Sequence, residues 1–359
     1  MQQTIAMKQI YVASTSALLF ISIAMARSPL RPSDPKAPNI TIRWEHAPEK
    51  KLCITDSHLE VHPIFSINNS SLEKHFVPQD GIMYTKNKTN MRLDPTTITS
   101  LIETLLVQIK QKKKKYTDFT IIKRKNFSFK KQCGLLIVAF NDYPLILKLF
   151  VETPRTFFDY HAKGIESICF FYMSGGANRH VTGLTRIKNK ERILEKAQKF
   201  ENWKSSIQIP RKWFWLPNNP KYLQLTGKNI GPHELLQTRI PAVYAIIADC
   251  VDTQQKTSLT TQEQSNIILQ MSSDLDLFID AHRDNFVFTD EIINEHPKII
   301  VLDTEHFPSI VGIKEPTSFV SYFEWYLALI KRCFFNCYLR HKKSQQTAQL
   351  QPHKLLLWE

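Results

Sequence analysis

Apolar residues along this chain fall into three patterns. One is a continuous uncharged run, Ile10 to Ala26 (IYVASTSALLFISIAMA). A second is helical spacing. Ile98, Leu101, Ile102, Leu105, Leu106 and Ile109 mark one face of a helix over Pro95 to Lys110. Further helices are predicted over Asn189 to Trp203, Thr261 to Leu277 and Ser318 to Leu339, the last with Phe319, Tyr322, Phe323, Tyr326, Ile330 and Phe334 as a core stripe. The third pattern is short strand-like runs: DFTIIKR (118–124), GLLIVAF (134–140), LILKLFVE (145–152), WFWLP (213–217), YLQLTG (222–227) and IPAVYAIIAD (240–249). Asn141-Asp142-Tyr143-Pro144 is a compact turn, so the runs on either side of it predict a hairpin.

Residues 27–90 break these patterns. They are rich in Pro, Asn, Ser and Asp, hold only scraps such as ITIRW (40–44), and read as an irregular lead-in. The chain therefore divides into 1–26, a lead-in with one helix over 27–117, a β-rich region over 118–249 and a helical region over 250–359. Strands first and helices later predict an α+β protein in two lobes. No internal repeat is visible.

Composition refines this picture at a few points. Lys8 precedes the uncharged run and Ala24-Met25-Ala26 ends it with small residues, the order of a cleaved export signal. A membrane anchor is the rival reading, but the run is shorter than the span of about 20 residues that a bilayer requires. No other stretch is long and apolar enough, so the mature chain is expected to carry no transmembrane span. A hydrophobic content of 43% with 22 Phe excludes a disordered chain. The net charge of +14 and pI near 9.4 favour anionic partners (nucleotides, lipid headgroups, nucleic acid), or simply a lysine-rich surface. The run Lys110 to Lys115 suits a solvated helix C-terminus, where cations favour the dipole; no specific nucleic-acid motif accompanies it. Six cysteines without a CxxC pair or zinc spacing exclude a disulfide scaffold and a zinc module.

Chemistry concentrates in FIDAHRDNFVF (278–288) and KIIVLDTEHF (298–307). Asp280 and Asn285 lie in a segment entering a strand, and Asp303 ends the next apolar strand. A hairpin with TDEIINEHP as its turn would set Asn285 beside Asp303. One carboxylate and one amide oxygen suit Mg²⁺, which binds few protein oxygens and keeps phosphate and water as further ligands. Asp280, displaced along the loop, could then orient or deprotonate a hydroxyl.

These segments resemble the protein-kinase-like superfamily, more closely its small-molecule and sugar kinase branches. Asp280-Ala281-His282-Arg283-Asp284-Asn285 matches the family's Asp-x-His-x-x-Asn loop, and Ile299-Ile300-Val301-Leu302-Asp303 matches the strand ending in its metal-binding Asp. His282-Arg283-Asp284 also spells the HRD triplet of protein kinases. Starting from Asp284, however, puts Thr289 where the Asn belongs, so the register from Asp280 is the better one. Lys148, in LILKLF, stands where the family has its phosphate-positioning Lys, on the third strand of an antiparallel N-lobe. IPAVYAIIAD stands where the family has its strand into the adenine-holding hinge.

The resemblance implies a two-lobed protein-kinase-like fold that uses ATP and Mg²⁺ to move the γ-phosphate to an unidentified hydroxyl acceptor. Lys148 and Glu191 would serve the nucleotide, Asn285 and Asp303 the metal, and Asp280 would be the base. Glu195 competes with Glu191 as the acid paired with Lys148, with Glu166 as an outsider. Departures are a loop with the single Gly134 (KRKNFSFKKQCG), flanked by Lys125, Lys130 and Lys131, and Thr304-Glu305-His306 after Asp303. The segment RHVTGLTRI (179–187) is too polar for a core strand and could contact substrate. Two other readings stand beside phosphotransfer: a kinase-fold binding protein without catalysis, and an unrelated basic secreted protein that binds anionic surfaces. The export signal would place the protein in the periplasm or outside the cell, where ATP is scarce, unless it is delivered into a host cell or a lumen supplied with nucleotide. If the kinase-like reading holds, Lys148, Asp280, Asn285 and Asp303 should meet in one cleft.

Overall fold

The computed structural model describes residues 39–45, 52–55, 69–86, 88–123, 126–157, 177–228, 235–253, 257–277, 279–280 and 282–305. The proposed export signal and the predicted helix over Ser318 to Leu339 lie outside these residues. In chain order the elements are β1 (Asn39–Trp44), β2 (Leu52–Thr55), β3 (Ile82–Lys86), β4 (Thr89–Leu93), α1 (Pro95–Lys110), β5 (Phe119–Lys123), β6 (Phe127–Ser128), β7 (Cys133–Phe140) and β8 (Leu145–Val151). There follow α2 (Ala177–Lys199), β9 (Ile207–Gln208), β10 (Lys212–Trp215), β11 (Tyr222–Lys228), β12 (Leu235–Pro241), β13 (Val243–Asp249), α3 (Thr261–Asp274), β14 (Phe286–Ile293) and β15 (His296–Val301). The protein is mixed α+β with several antiparallel sheets and few helices. Among the described residues of the expected helical region, α3 and a short 3₁₀ turn are the only helices, and the β14–β15 hairpin takes the rest of the regular structure.

The central sheet runs β10-β13-β8-β7-β5, with β6 also on β7, and its ladders are antiparallel. Alternation along its strands builds two cores. Leu136, Val138, Leu145, Leu147, Leu149, Ala245 and Ile247 face α1, which answers with Ile98, Ile102, Leu105 and Ile109. Leu135, Phe150, Phe214, Tyr244 and Ile246 face the other way, onto Leu184 and Ile187 of α2. Both faces of this sheet are covered, which is why its strands read as unbroken apolar runs. Asp94 starts α1 by accepting from Thr97 N at 2.9 Å, with Pro95 in the first turn.

The lead-in is more ordered than expected. β1 inserts between β2 and β11 in a sheet ordered β12-β11-β1-β2, and β3 and β4 form a hairpin of their own. IPAVYAIIAD is two strands, because β12 ends at Pro241 and β13 begins at Val243 in a different sheet.

The predicted helix over Asn189 to Trp203 begins a dozen residues earlier, at Ala177, so RHVTGLTRI belongs to α2. Gly183 explains how that polar stretch packs. A Cβ there would fall on the Tyr244 hydroxyl and lie 2.6 Å from the Phe150 ring. Without one, the helix backbone rests directly on the stacked Phe150–Tyr244 pair, whose centroids are 4.6 Å apart. Tyr244 donates to the carbonyl of His180, and the His180 ring bonds the Pro241 carbonyl at 2.6 Å.

After α2 the chain enters β9, which pairs in parallel with β15. Trp203 fixes this junction by donating to Asp274 of α3 at 2.9 Å and stacking on His296 at 3.8 Å. One end of β15 is thereby held to α2 and α3, and its other end leads to Asp303.

Candidate active site

Lys148 and Asp303 meet as an ion pair of 3.0 Å. Lys148 shares strand parity with Phe150, so it points to the α2 face of the central sheet, between Ile137 and Ile246 on the neighbouring strands. Its side chain is 14% exposed. Burial lowers its pKa, and the attraction of Asp303 offsets part of that.

Asp303 is brought there by the β14–β15 hairpin. Phe286 pairs with Val301, and Leu302 N donates to the Asn285 carbonyl at 2.8 Å, so Asn285 and Asp303 leave the same end of the hairpin. The expected nine-residue turn is only Asn294-Glu295, both with positive φ (51° and 68°), as a tight type I′ turn demands.

The loop before β14 is locally braced. Asn285 Nδ2 donates to the Asp280 carbonyl at 3.1 Å, Asn285 N to the His282 carbonyl at 2.9 Å, and His282 N to Asp280 Oδ1 at 3.2 Å. The register from Asp280 is thus a closed loop spanning Asp280 to Asn285. Asp284 is exposed, and its carboxylate lies 3.7 Å from the ring of His282. Burial first, and then the negative charge of Glu305, raise the Asp280 pKa above the usual carboxylate range.

Three further side chains complete the cluster, one of them within the polar segment RHVTGLTRI. Arg186 of α2 places Nε 2.8 Å from Asp303 Oδ1 and Nη2 2.9 Å from Glu305 Oε2. Lys212 of β10 donates to Thr304 Oγ1 at 2.8 Å, and that hydroxyl donates to the Arg186 carbonyl at 2.5 Å. Asn189 Nδ2 donates to the Thr304 carbonyl at 3.1 Å. Burial, then the charge of Lys148, pull the Lys212 pKa far down. For Asp303, burial opposes ionisation, but the charges of Arg186 and Lys148 outweigh it and hold its carboxyl well below the usual range. The residues after Asp303 are therefore an anchor to α2 and β10, and Glu305 is a buried acid paired with Arg186. Helical spacing of His180, Leu184 and Ile187 was the signal available in the sequence.

Glu191 is not brought to Lys148. It lies five residues beyond Arg186, well round the helix, half exposed, and pairs with Lys74 at 3.0 Å and His75 at 3.7 Å. Glu195 is exposed and pairs with Lys199, and Glu166 lies outside the described residues.

Asn285 and Asp303 leave the same end of the hairpin, but the donor set as it stands does not fit Mg²⁺. Asp303 Oδ1 is held by Arg186 Nε, and Oδ2 by Lys148 with Arg186 Nη2 at 3.5 Å. A dication would have to displace two cations from that carboxylate. Among the described residues no group of three or more His, Cys, Asp or Glu converges on one point, and no helix is long and apolar enough to cross a membrane. No protein-family model, curated protein or solved structure matches this chain.

Proposed function

We propose that this charge cluster binds a nucleoside triphosphate, ATP in the first instance, and passes its terminal phosphoryl group to a hydroxyl acceptor. The observation that carries the reading is the convergence of Lys148 with Asp303 beside the braced Asp280–Asn285 loop. It is supported by the order of elements: an antiparallel sheet with the Lys on an inner strand, then a helix, then β13 leading into a linker, then the loop and the hairpin. That order favours a two-lobed kinase-like arrangement.

In the proposed reaction Lys148 swings from Asp303 to the phosphates. Asp280 accepts the proton of the acceptor hydroxyl, whose oxygen bonds to the γ-phosphorus as the β–γ bridging P–O bond breaks and the nucleoside diphosphate leaves. A carboxyl with a raised pKa is the better proton acceptor at neutral pH. Positioning and charge neutralisation carry most of the catalysis in such transfers.

A second reading, nucleotide binding without turnover, is favoured by one observation, the Arg186 guanidinium on Asp303. Thermal unfolding with and without ATP tests binding, and release or transfer of terminally labelled phosphate tests turnover. Phosphotransfer abolished in Asp280→Ala with ATP binding intact supports the first reading. Binding without transfer in the wild type supports the second, and no ATP-dependent stabilisation defeats both.

A further inference from the structure

An acid on this helix was expected to pair with Lys148; instead a cation of the helix, Arg186, holds the carboxylate of Asp303. Arg186 is buried, with 1% of its surface exposed. Its Nε and Nη2 span Asp303 and Glu305, and its guanidinium carbon lies 5.6 Å from the centroid of the Phe150 ring. The seat is built from three directions. The Gly183 contact presses α2 onto Phe150 and Tyr244, the Arg186 carbonyl accepts from Thr304, and Asn189 one turn on holds the Thr304 carbonyl. Arg186 and the 303–305 segment are thus fastened to each other through side chain and backbone alike.

We propose that Arg186 stands in for the divalent cation, so that the cluster takes polyphosphate without metal. This rests on the nucleotide reading above and deepens it. A guanidinium does not lose its proton in a protein, so its charge is a permanent feature of the cluster. Mg²⁺ demands near-octahedral oxygen ligands at about 2.1 Å, and the Asp303 oxygen it would need is already 2.8 Å from Arg186 Nε. Lys148 differs from Arg186: it sits on a flexible four-carbon stem, and its release toward a phosphate leaves Asp303 still neutralised by Arg186. Arg186 stays buried behind Asp303 and Glu305 and acts by cancelling the Asp303 charge that would otherwise call for a metal, while the released Lys148 meets the phosphates.

The test compares thermal unfolding of the full-length chain with ATP, and with inorganic tripolyphosphate, in excess EDTA and in excess MgCl₂. A ligand that binds only the folded state stabilises it by RT ln(1 + [L]/Kd), so Tm rises with ligand concentration. The expected result is the same upward shift in EDTA as in Mg²⁺ for wild type, and in Arg186→Gln a shift that is lost in EDTA and restored by Mg²⁺. Should Arg186→Gln fail to fold, the wild-type comparison decides alone. A wild-type shift that appears only with Mg²⁺ overturns this inference and leaves the nucleotide reading standing. No shift under either condition overturns both.

Discussion

Asp303 Oδ1 receives Arg186 Nε at 2.8 Å from a helix that the sequence pattern starts only after Arg186. The contact makes Asp303 the hub of a buried charge cluster, because Lys148 meets its other oxygen. Removing the hub leaves two buried cations facing each other. Asp303→Ala is expected to cost about 3–5 kcal/mol in urea unfolding, the range for breaking one side of a buried pair. Lys148→Met should cost less, since Asp303 keeps Arg186. Because the two changes touch one network, their sum should exceed the double variant's cost. Strict additivity would mean that the cluster does not act as one unit.

Asp280 is expected to behave in the opposite sense. Its folded pKa is raised, so the native state holds its proton to higher pH than the unfolded chain does, and the ionised carboxylate works against folding at neutral pH. Asp280→Asn should therefore raise Tm at pH 7 while abolishing phosphotransfer. A loss of both stability and activity would assign Asp280 a structural task instead.

Acid should act in two windows. Asp303 has a depressed pKa, so the stability it contributes is complete above the ordinary carboxylate range and is lost only below about pH 4. His180 has its pKa lowered by burial to about 4. The unfolded chain therefore takes up this proton near pH 6.5, before the native state does, and stability falls between pH 6.5 and 4 by up to about 3 kcal/mol. Urea unfolding at pH 7.5, 6 and 5 should show this slope in wild type and a flatter one in His180→Gln. Equal slopes would remove His180 as the cause.

How much of this was legible depended on whether the signal was local. α1 was readable in full because Asp94, Pro95 and the stripe from Ile98 to Ile109 lie within its own sequence. The β7–β8 hairpin was readable from its turn. β14 and β15 were expected as a pair, but the polar outer ends of their strands hid a turn as short as Asn294-Glu295. β1 could be seen as a strand, yet its partner β11 lies so far along the chain that no local pattern could place it in a sheet. The start of α2 was hidden for another reason. His180 and Arg186 are polar residues whose burial depends on contacts with Tyr244, Pro241, Asp303 and Glu305, all distant in sequence. The Lys148–Asp303 pair and the Asp280–Asn285 loop lie within segments the sequence singled out, whereas Arg186 as the residue that α2 brings to Asp303 was not expected.

The hairpin turn offers a gain. Glu295 sits at φ 68°, a left-handed conformation that costs a side chain about 1 kcal/mol and glycine little. Its side chain is exposed, so Glu295→Gly should stabilise the protein by about 0.5–1 kcal/mol. Denaturant midpoints would show this as a rise without a change in m; a fall would mean that the Glu295 side chain makes a contact worth more than the strain.

Gly183 tests the step on which the site's geometry depends. A methyl group at this position meets the Tyr244 hydroxyl first and the Phe150 ring next, and both are fully buried and mutually stacked. Neither is the loose end of a flexible chain, so α2 itself must lift from the sheet. Overpacking of this kind costs about 1–3 kcal/mol, and Gly183→Ala should fall in that range despite the better helix propensity of alanine. The same lift would carry Arg186, less than one turn further on, away from Asp303, so ATP-dependent stabilisation should weaken along with Tm. Tyr244→Phe removes the nearest atom and should recover part of both losses when combined with Gly183→Ala, although alone it breaks the bond to His180. A double variant no better than Gly183→Ala would assign the obstruction to Phe150. Full nucleotide binding in Gly183→Ala would show that the seat of Arg186 does not depend on how closely α2 lies on β8 and β13.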